Sequence, residues 1–452
     1  MLPQKPFAED KPYITYHTEN RSWQDQWSEE GESDTPLNRF LNIKECSSRG
    51  FYETPEFKTI GLDRALENIR DGQPFNSVEP AAWMHDKCGI EAREYNGVMS
   101  IQKFHEVHRM KRFDQEGYPD ALTRRIHIPN PTSESLGVLV HHVTSSHRQE
   151  LKEFLLRHIQ GHRNKAFVWF DISAAGMTFS MICHFPSFVW KEWSQEEVGA
   201  RQDRRKKIDG SPWRKSEDLS YLCGTTLPKH QGSIDMLHET QQSLIIMGFD
   251  RRMWTLHSLT DSYFYSPNPY NEDTLEHYEC DTLEHYGGDT LAEEPETFYD
   301  PITLGEHQAD LPVDDPREFF FLILQIRLSQ ALEEWKNINY QLRRHVDMGP
   351  ERFGELSHTQ ELTARSARAR GEEIEHRHSW CEKTNSLLTR LHGSLSSKID
   401  ALKGFMTEPQ PDIDLTPRIA ASYQKLRRLV KGLEEVRDGI QDVQLCSAYW
   451  PL

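Results

Sequence analysis

Several sequence features that usually identify a class of protein are missing from this 452-residue chain. The seven cysteines stand singly with no C-x-x-C pair, which fits buried thiols in a reducing compartment better than a disulfide framework or a zinc knuckle. The longest apolar runs fall far short of the ~20 residues that a membrane helix needs. The N-terminus has no signal pattern. As written, the chain is therefore expected to be cytoplasmic and to cross no membrane.

Motifs that bind phosphate or support hydrolysis are also missing. No G-x-x-x-x-G-K-[ST], G-x-G-x-x-G, G-x-S-x-G or H-E-x-x-H pattern occurs in the sequence. Carboxylates are plentiful, but no spacing singles out a catalytic pair. We therefore expect no enzymatic activity, no catalytic residue and no site for an organic cofactor.

The negative charge of the chain is concentrated in one segment. Residues 253–316 contain sixteen Asp or Glu and no Lys or Arg, which accounts for nearly all of the net charge of −18. A general nucleic-acid binder needs a basic surface, so no nucleic-acid partner is expected. Within this segment DTLEHY occurs at 273–278 and again at 281–286, and it decays to DTLAEE at 289–294. We predict that residues 266–314 form an exposed acidic loop of low complexity.

One long helix is predicted between residues 315 and 346. Asp315 can cap it, and Pro316 takes the first helical position, where a missing N–H costs nothing. The first turns are apolar on all sides and should be enclosed. Apolar residues recur in steps of three and four along one stripe: Phe321, Leu324, Leu328, Leu332, Trp335, Ile338, Leu342 and Val346.

The expected fold class is α+β: a mixed-sheet α/β N-terminal domain followed by a long-helix bundle or stalk. Residues 1–60 are polar and should be mostly irregular. Residues 61–265 form the α/β domain with a basic insert at 194–216, residues 266–314 the acidic loop, and residues 315–452 the long-helix C-terminal region.

Strands of the α/β domain are indicated by stretches rich in β-branched and aromatic residues. A helix with apolar residues on one side lies between the first two stretches and stops at Gly161. The strand stretches are RRIHIPN, AFVWFDIS, TFSMICHF, QSLIIMGFD and RMWTLHSLTDSYF.

The basic insert is the first candidate for binding chemistry. It suits a nucleic-acid, lipid or targeting patch, or else a solvated loop. We favour the loop, because Trp213 is its one interleaved aromatic residue. The basic residues are Arg201, Arg204, Arg205, Lys206, Lys207, Arg214 and Lys215.

Histidines at short spacing are the candidate metal ligands. In the repeat, His277, His285 and Cys280 lie among carboxylates and could take up a soft divalent ion, although ordering a flexible loop weakens such a site. His158 and His162 are four apart, but the glycine between them puts His162 past the helix end. Two further pairs are interpreted as surface or hydrogen-bonded histidines: His105 with His108, and His376 with His378.

The last predicted helix, residues 417–443, carries a heptad-like seam. The seam is buried either by folding back on the two preceding helices or by self-association with copies of the chain. Folding back is favoured for the isolated protein, because antiparallel packing needs no second chain. The seam residues are Ile419, Tyr423, Leu426, Val430 and Leu433.

Five phrases occur in order within residues 120–445: RRIHIPNPTSESLGVLV (124–140), FLLRHI (154–159), MICHFPSFVWKEW (181–193), WTLHSLTDSYF (254–264) and DPREFFFLILQIRLSQALEEW (315–335). Together they resemble a fungal CorA-like group, related to the divalent-cation channels of the CorA/ZntB superfamily. The resemblance implies a cytosolic α/β domain that leads into long helices, the last of which enters the membrane of a pentamer as a stalk. Residues 417–443 resemble that stalk. The ligand it implies is Mg²⁺ or another divalent cation.

The chain departs from this family at the pore. The family's Gly-Met-Asn signature and both spanning helices are missing, so no pore residue is assigned. One expectation is a cytosolic sensing and assembly part of a CorA-like transporter, without transport activity of its own. It would be truncated, and it would lie at the cytosolic face of a membrane if spans follow downstream. The alternative is a soluble helical interaction or scaffold protein that has lost the channel.

Overall fold

The structure is a computed structural model in which most of the chain is described. Near the N-terminus the described residues are Leu37 and Phe40. The other described residues are 55–75, 80–113, 115–144, 147–163, 165–172, 178–222, 233–249, 252–265, 300–308, 311, 313, 315–347, 364–407 and 417–448.

Strands and helices are both abundant in these ranges, which confirms the α+β fold class. The strands are β1 (Pro80–Cys88), β2 (Glu91–Ala92), β3 (Gly97–Ser100), β4 (Thr123–Pro129), β5 (Phe167–Ile172), β6 (Phe179–Ser194), β7 (Ser216–Asp218), β8 (Ser233–Gly248) and β9 (Trp254–Thr260). The helices are α1 (Pro55–Thr59), α2 (Leu62–Arg70), α3 (Ile101–His108), α4 (Ser133–His142), α5 (Arg148–Gln160), α6 (Pro316–Asp347), α7 (Ala364–Thr407) and α8 (Pro417–Ala448).

The strands form one mixed sheet in the order β2-β1-β4-β9-β8-β6-β5, with β3 beside β1 and β7 beside β8. β4 and β9 are parallel, and the other pairs are antiparallel. β6 and β8 pair along all 16 residues of each. Gly248 ends β8 where a Cβ atom would lie 2.5 Å from the Met253 carbonyl oxygen, so the turn into β9 requires glycine.

Helices cover both faces of the sheet. Because side chains alternate along a strand, Ile245 and Met247 of β8 point to the first face, and Leu244 and Ile246 to the second. The five short helices, α1 to α5, bury their apolar residues on the first face. The three long helices, α6 to α8, share a core with the second face. The sheet is therefore the middle layer of three.

Helix α6 begins and packs as its sequence predicts. The Arg317 backbone N–H donates to Asp315 Oδ1 at 2.8 Å, which caps the first turn. Phe319, Phe320 and Phe321 are all buried, so this end is enclosed. Leu328 and Trp335 are also buried, and the Trp335 ring lies edge-on to Phe188 of β6, at 6.2 Å between centroids. These contacts join the long helices to the sheet.

Helix α8 folds back within the chain. Its seam residues Ile419, Leu426, Val430 and Leu433 are buried in the core shared with α6 and α7, and Tyr423 is partly buried there. This is the arrangement that the sequence favoured for the isolated protein. None of the described helices combines the length and apolar composition that a membrane crossing requires.

Two parts of the chain are more ordered than the sequence predicts. In the N-terminal segment expected to be mostly irregular, Phe57 of α1 and Phe40 are buried and meet edge-on at 6.1 Å. At the end of the segment expected to be an exposed acidic loop, Asp300 and Ile302 are fully buried. Asp300 pairs with Arg125 of β4 at 2.7 Å, because that buried guanidinium needs a counter-charge.

Candidate functional site

The metal-ligand candidates from the repeat, His277, His285 and Cys280, lie outside the described residues. Three other cysteines, Cys88, Cys183 and Cys381, are described, and all are free thiols. The sequence predicts buried thiols. Cys183 is buried, whereas Cys88 and Cys381 are only partly buried.

His158 and His162 do not form a metal site. His158 Nδ1 lies 2.9 Å from the Ser243 hydroxyl, whereas His162 Nε2 contacts the Ser187 carbonyl oxygen at 2.7 Å. Helix α5 ends before His162, as the sequence indicates. Burial lowers the pKa of His158 to about 3 and that of His162 to about 4. Within the described ranges, no three His, Cys, Asp or Glu side chains are grouped as a metal site would require.

The basic insert is only partly the solvated loop that we favoured. Arg214 is buried, and its Nε donates to Asp261 Oδ2 at 2.5 Å. Arg205 donates to Asp261 Oδ1 at 2.8 Å and also pairs with Asp203 at 2.8 Å. The insert therefore supplies two arginines to a buried ion network, since the carboxylates of Asp203 and Asp261 need cations. Its exposed basic residues are Arg204, Lys206 and Lys215.

Gly161 makes this network possible. It has a positive φ of 53°, and a Cβ atom there would lie 2.8 Å from an Arg214 guanidinium nitrogen. Arg214 donates past it to the His158 and Ile159 carbonyls at 2.6 and 3.0 Å. These are carbonyls of the last turn of α5, which lack helical partners. The guanidinium thus caps the C-terminus of that helix.

The strongest candidate site is a cavity of about 610 Å³ on the first face of the sheet. Helices α2, α3 and α4 and the start of α5 form its sides. Strands β4, β8 and β9 contribute Arg124, Met247 and His257 to the lining. We call it the histidine cavity, after the six histidines that line it: His105, His108, His141, His142, His147 and His257.

Four of these imidazoles form one cluster between α3 and α4. His142 Nε2 lies 3.2 Å from His105 Nδ1. The His108 ring stacks on His142 at 5.2 Å, and His141 meets His142 edge-on at 4.7 Å. The interpretation as a hydrogen-bonded histidine therefore holds for His105, whereas His108 contacts the neighbouring helix by ring stacking.

Two arginines form the inner wall of the histidine cavity. Arg124 makes a two-pronged ion pair with Asp86 of β1, at 2.8 and 2.6 Å. Arg112 donates to the Ala121 and Leu122 carbonyl oxygens at 3.0 and 2.8 Å. Both guanidiniums are thus held rigidly and keep their positive charge in the wall of the cavity.

Three histidines of this cavity have lowered pKa values, which favours their neutral form. Burial, with Arg124 adding to it, puts the pKa of His108 well below its ordinary value. The pKa of His142 is also well below the ordinary value, because of burial and three neighbouring imidazoles. Burial and then Arg124 lower the pKa of His257 to about 3. The positive charges of the nearby arginines oppose protonation of these imidazoles.

One pair of the cluster was noted in the sequence without a site being predicted there, and the other pair was missed. His105 and His108 stand out by their spacing, but His141 and His142 end an apolar helix and carry no motif. Both pairs occupy the last turn of their helices, where imidazole suits the carbonyl-rich end. That placement is a signal, although only the packing of α3 on α4 brings the two ends together.

No family model matches the chain. No curated protein matches it either. The CorA-like assignment therefore rests on the five sequence phrases and stays a prediction.

Proposed function

We propose that this chain is the sensing and assembly part of a CorA-like divalent-cation transporter, without transport or enzymatic activity of its own. The observation that supports it is the core shared by the second face of the sheet and the three long helices. Trp254 of β9 contacts Phe319 of α6 at 6.1 Å, and Trp190 of β6 accepts a hydrogen bond from Asn337 at 3.4 Å. A ligand that shifts the sheet would therefore also shift the helices.

Hydrogen exchange with and without millimolar Mg²⁺ tests this function. We expect Mg²⁺ to slow exchange both in the sheet and in α6 to α8, because the two layers share their core. Light scattering at micromolar concentration should report a monomer or a weak oligomer without the ion. Choline chloride at equal ionic strength is the control. If Mg²⁺ leaves both exchange and association unchanged, the proposal fails.

A protein-interaction or scaffold role is the second candidate. It is favoured by the exposed first part of α7, in which Ile374 is 59% exposed, and by Tyr340 on α6, which is 63% exposed. Coding sequence downstream of Leu452 discriminates the two functions. Two apolar segments of ~20 residues would favour the transporter, and their absence would favour the interaction protein.

A further inference from the structure

Cationic side chains, imidazoles and apolar side chains line the histidine cavity, and no described Asp or Glu side chain lines it. Its five Arg and Lys residues are Arg70, Arg109, Lys111, Arg112 and Arg124. Asp71 pairs with Arg70 at 2.8 Å, and Asp86 pairs with Arg124 at 2.6 Å. Arg109 and Lys111, which are both exposed, add two more positive charges. A cavity of this sign attracts anions and repels metal ions.

Two imidazoles of the cavity have ring nitrogens without a hydrogen-bond partner among the described residues. His257 is 5% exposed, and its Nδ1 has no hydrogen-bond partner among the described residues. The same holds for both ring nitrogens of His108. Buried polar atoms are normally satisfied, so these nitrogens point to a bound group that supplies hydrogen-bonding atoms. A neutral imidazole can donate one N–H to such a group.

Part of the cavity lining, here called the apolar side, consists of hydrophobic residues. Ile69 of α2, Leu139 and Val143 next to the histidine cluster, and Leu151 of α5 line it together with Met247. A bare inorganic ion would leave this side uncovered. The volume of about 610 Å³ lies within the ~300–1,000 Å³ of small-molecule sites, which leaves room for an organic group beside an anionic one.

We propose that the histidine cavity binds a phosphorylated small molecule, with its phosphate among Arg109, Lys111 and His108 and its organic part against the apolar side. Phosphate is the anion that suits the site, since its oxygens accept from several guanidinium, ammonium and imidazole donors at once. The charged residues that line this cavity are positive, whereas a cation site is lined by negative ones. The cavity is therefore a site additional to any Mg²⁺ site of the chain.

Calorimetric titration of the full chain tests this site. The probes are inorganic phosphate, pyrophosphate and AMP, with adenosine as the uncharged comparison. We expect pyrophosphate and AMP to bind with dissociation constants below ~1 mM, AMP roughly tenfold more tightly than phosphate because its organic part is buried, and adenosine not to bind measurably. Raising the salt concentration should weaken binding.

Substitutions of the three proposed phosphate-binding residues test where the ligand binds. Arg109→Ala with Lys111→Ala should weaken AMP binding roughly tenfold, and His108→Ala should do the same, through lost charged and neutral donors. The matched control is Arg64→Ala with Lys103→Ala, which removes two exposed cations from α2 and α3 outside the cavity. It should leave binding unchanged.

Three results would overturn the proposal. The first is no binding of pyrophosphate or AMP at 5 mM, a concentration chosen as roughly five times the expected upper limit. The second is AMP binding that the substitutions at Arg109, Lys111 and His108 leave intact. The third is AMP binding that the control pair weakens equally. If AMP and inorganic phosphate bind equally, the apolar contact is excluded and the proposal fails in that part.

Discussion

The ammonium group of Lys398 on α7 donates a hydrogen bond of 3.1 Å to the hydroxyl of Ser187 on β6, inside the core that joins the long helices to the sheet. The lysine is fully buried. Its nitrogen lies 5.6 Å from the centroid of the Phe185 ring and 5.8 Å from that of Trp335. Burial lowers the pKa of Lys398 to about 7, so its charge is costly at neutral pH.

Lys398→Met should stabilise the protein at pH 7 by about 3 kcal/mol, measured by urea unfolding. An unfolded lysine titrates near 10.4, so between pH 7 and 10 the folded chain binds fewer protons than the unfolded chain. The cost of Lys398 therefore falls as the pH rises, and the advantage of the variant should be smaller at pH 9. Lys383→Met, an exposed lysine of α7, is the control. A destabilised variant at pH 7 would contradict this account.

Trp335→Ala should lower the free energy of unfolding by about 4 kcal/mol, because it leaves a cavity where α6 meets Phe188 of β6. Trp335 is fully buried, whereas Tyr340 of the same helix is 63% exposed. Tyr340→Ala is therefore the matched control, with an expected effect within about 0.5 kcal/mol. Equal effects of the two substitutions would show that the shared core is not what stabilises α6.

Asp261→Asn should cost about 3–5 kcal/mol of folding stability, because it leaves Arg205 and Arg214 without their shared counter-charge. Asp261 Oδ2 also accepts from the Gln241 backbone N–H at 2.8 Å, which ties the network to β8. Chemical denaturation measures the loss. Lys215→Ala changes an exposed residue of the same insert and should cost within about 0.5 kcal/mol. A comparable loss in both variants would mean that the buried network has no special role.

Folding stability should fall steeply as the pH drops from about 6.5 toward 4. In the folded protein, burial lowers the pKa of His158, His127 and His257 to about 3. Unfolded histidines take up a proton near pH 6.5, so stability that is fully present above that pH is lost as the pH falls toward 3. Each such histidine should cost up to about 2 kcal/mol at pH 5.

The measurement is urea unfolding at several pH values, with His158→Gln expected to flatten the profile by up to that same amount of about 2 kcal/mol at pH 5. His376→Gln, which alters an exposed histidine of α7, should leave the profile unchanged. A wild-type stability that is constant from pH 7 to 5 would contradict the prediction.

Local sequence signals predicted the elements in which apolar side chains are buried and polar side chains are exposed. The cap at Asp315 and the apolar stripe specify α6, and Gly161 specifies the end of α5. Strand β1 gave no such signal. Its residues His85, Asp86 and Lys87 are buried, and polar residues in sequence indicate an exposed segment. Asp86 is stable there because Arg124, 38 residues away, pairs with it.

By itself, the sequence determined the fold class and the buried stripes of α6 and α8, because apolar residues that recur every three or four positions define one face of a helix. Only the tertiary structure decided which charges are buried and which polar groups meet. The histidine cavity needs α3, α4 and β9 side by side, and the Asp261 network needs two arginines from the insert. A buried charge or imidazole is tolerated only where a partner distant in sequence supplies a counter-charge or hydrogen bond, and that proximity is set by packing.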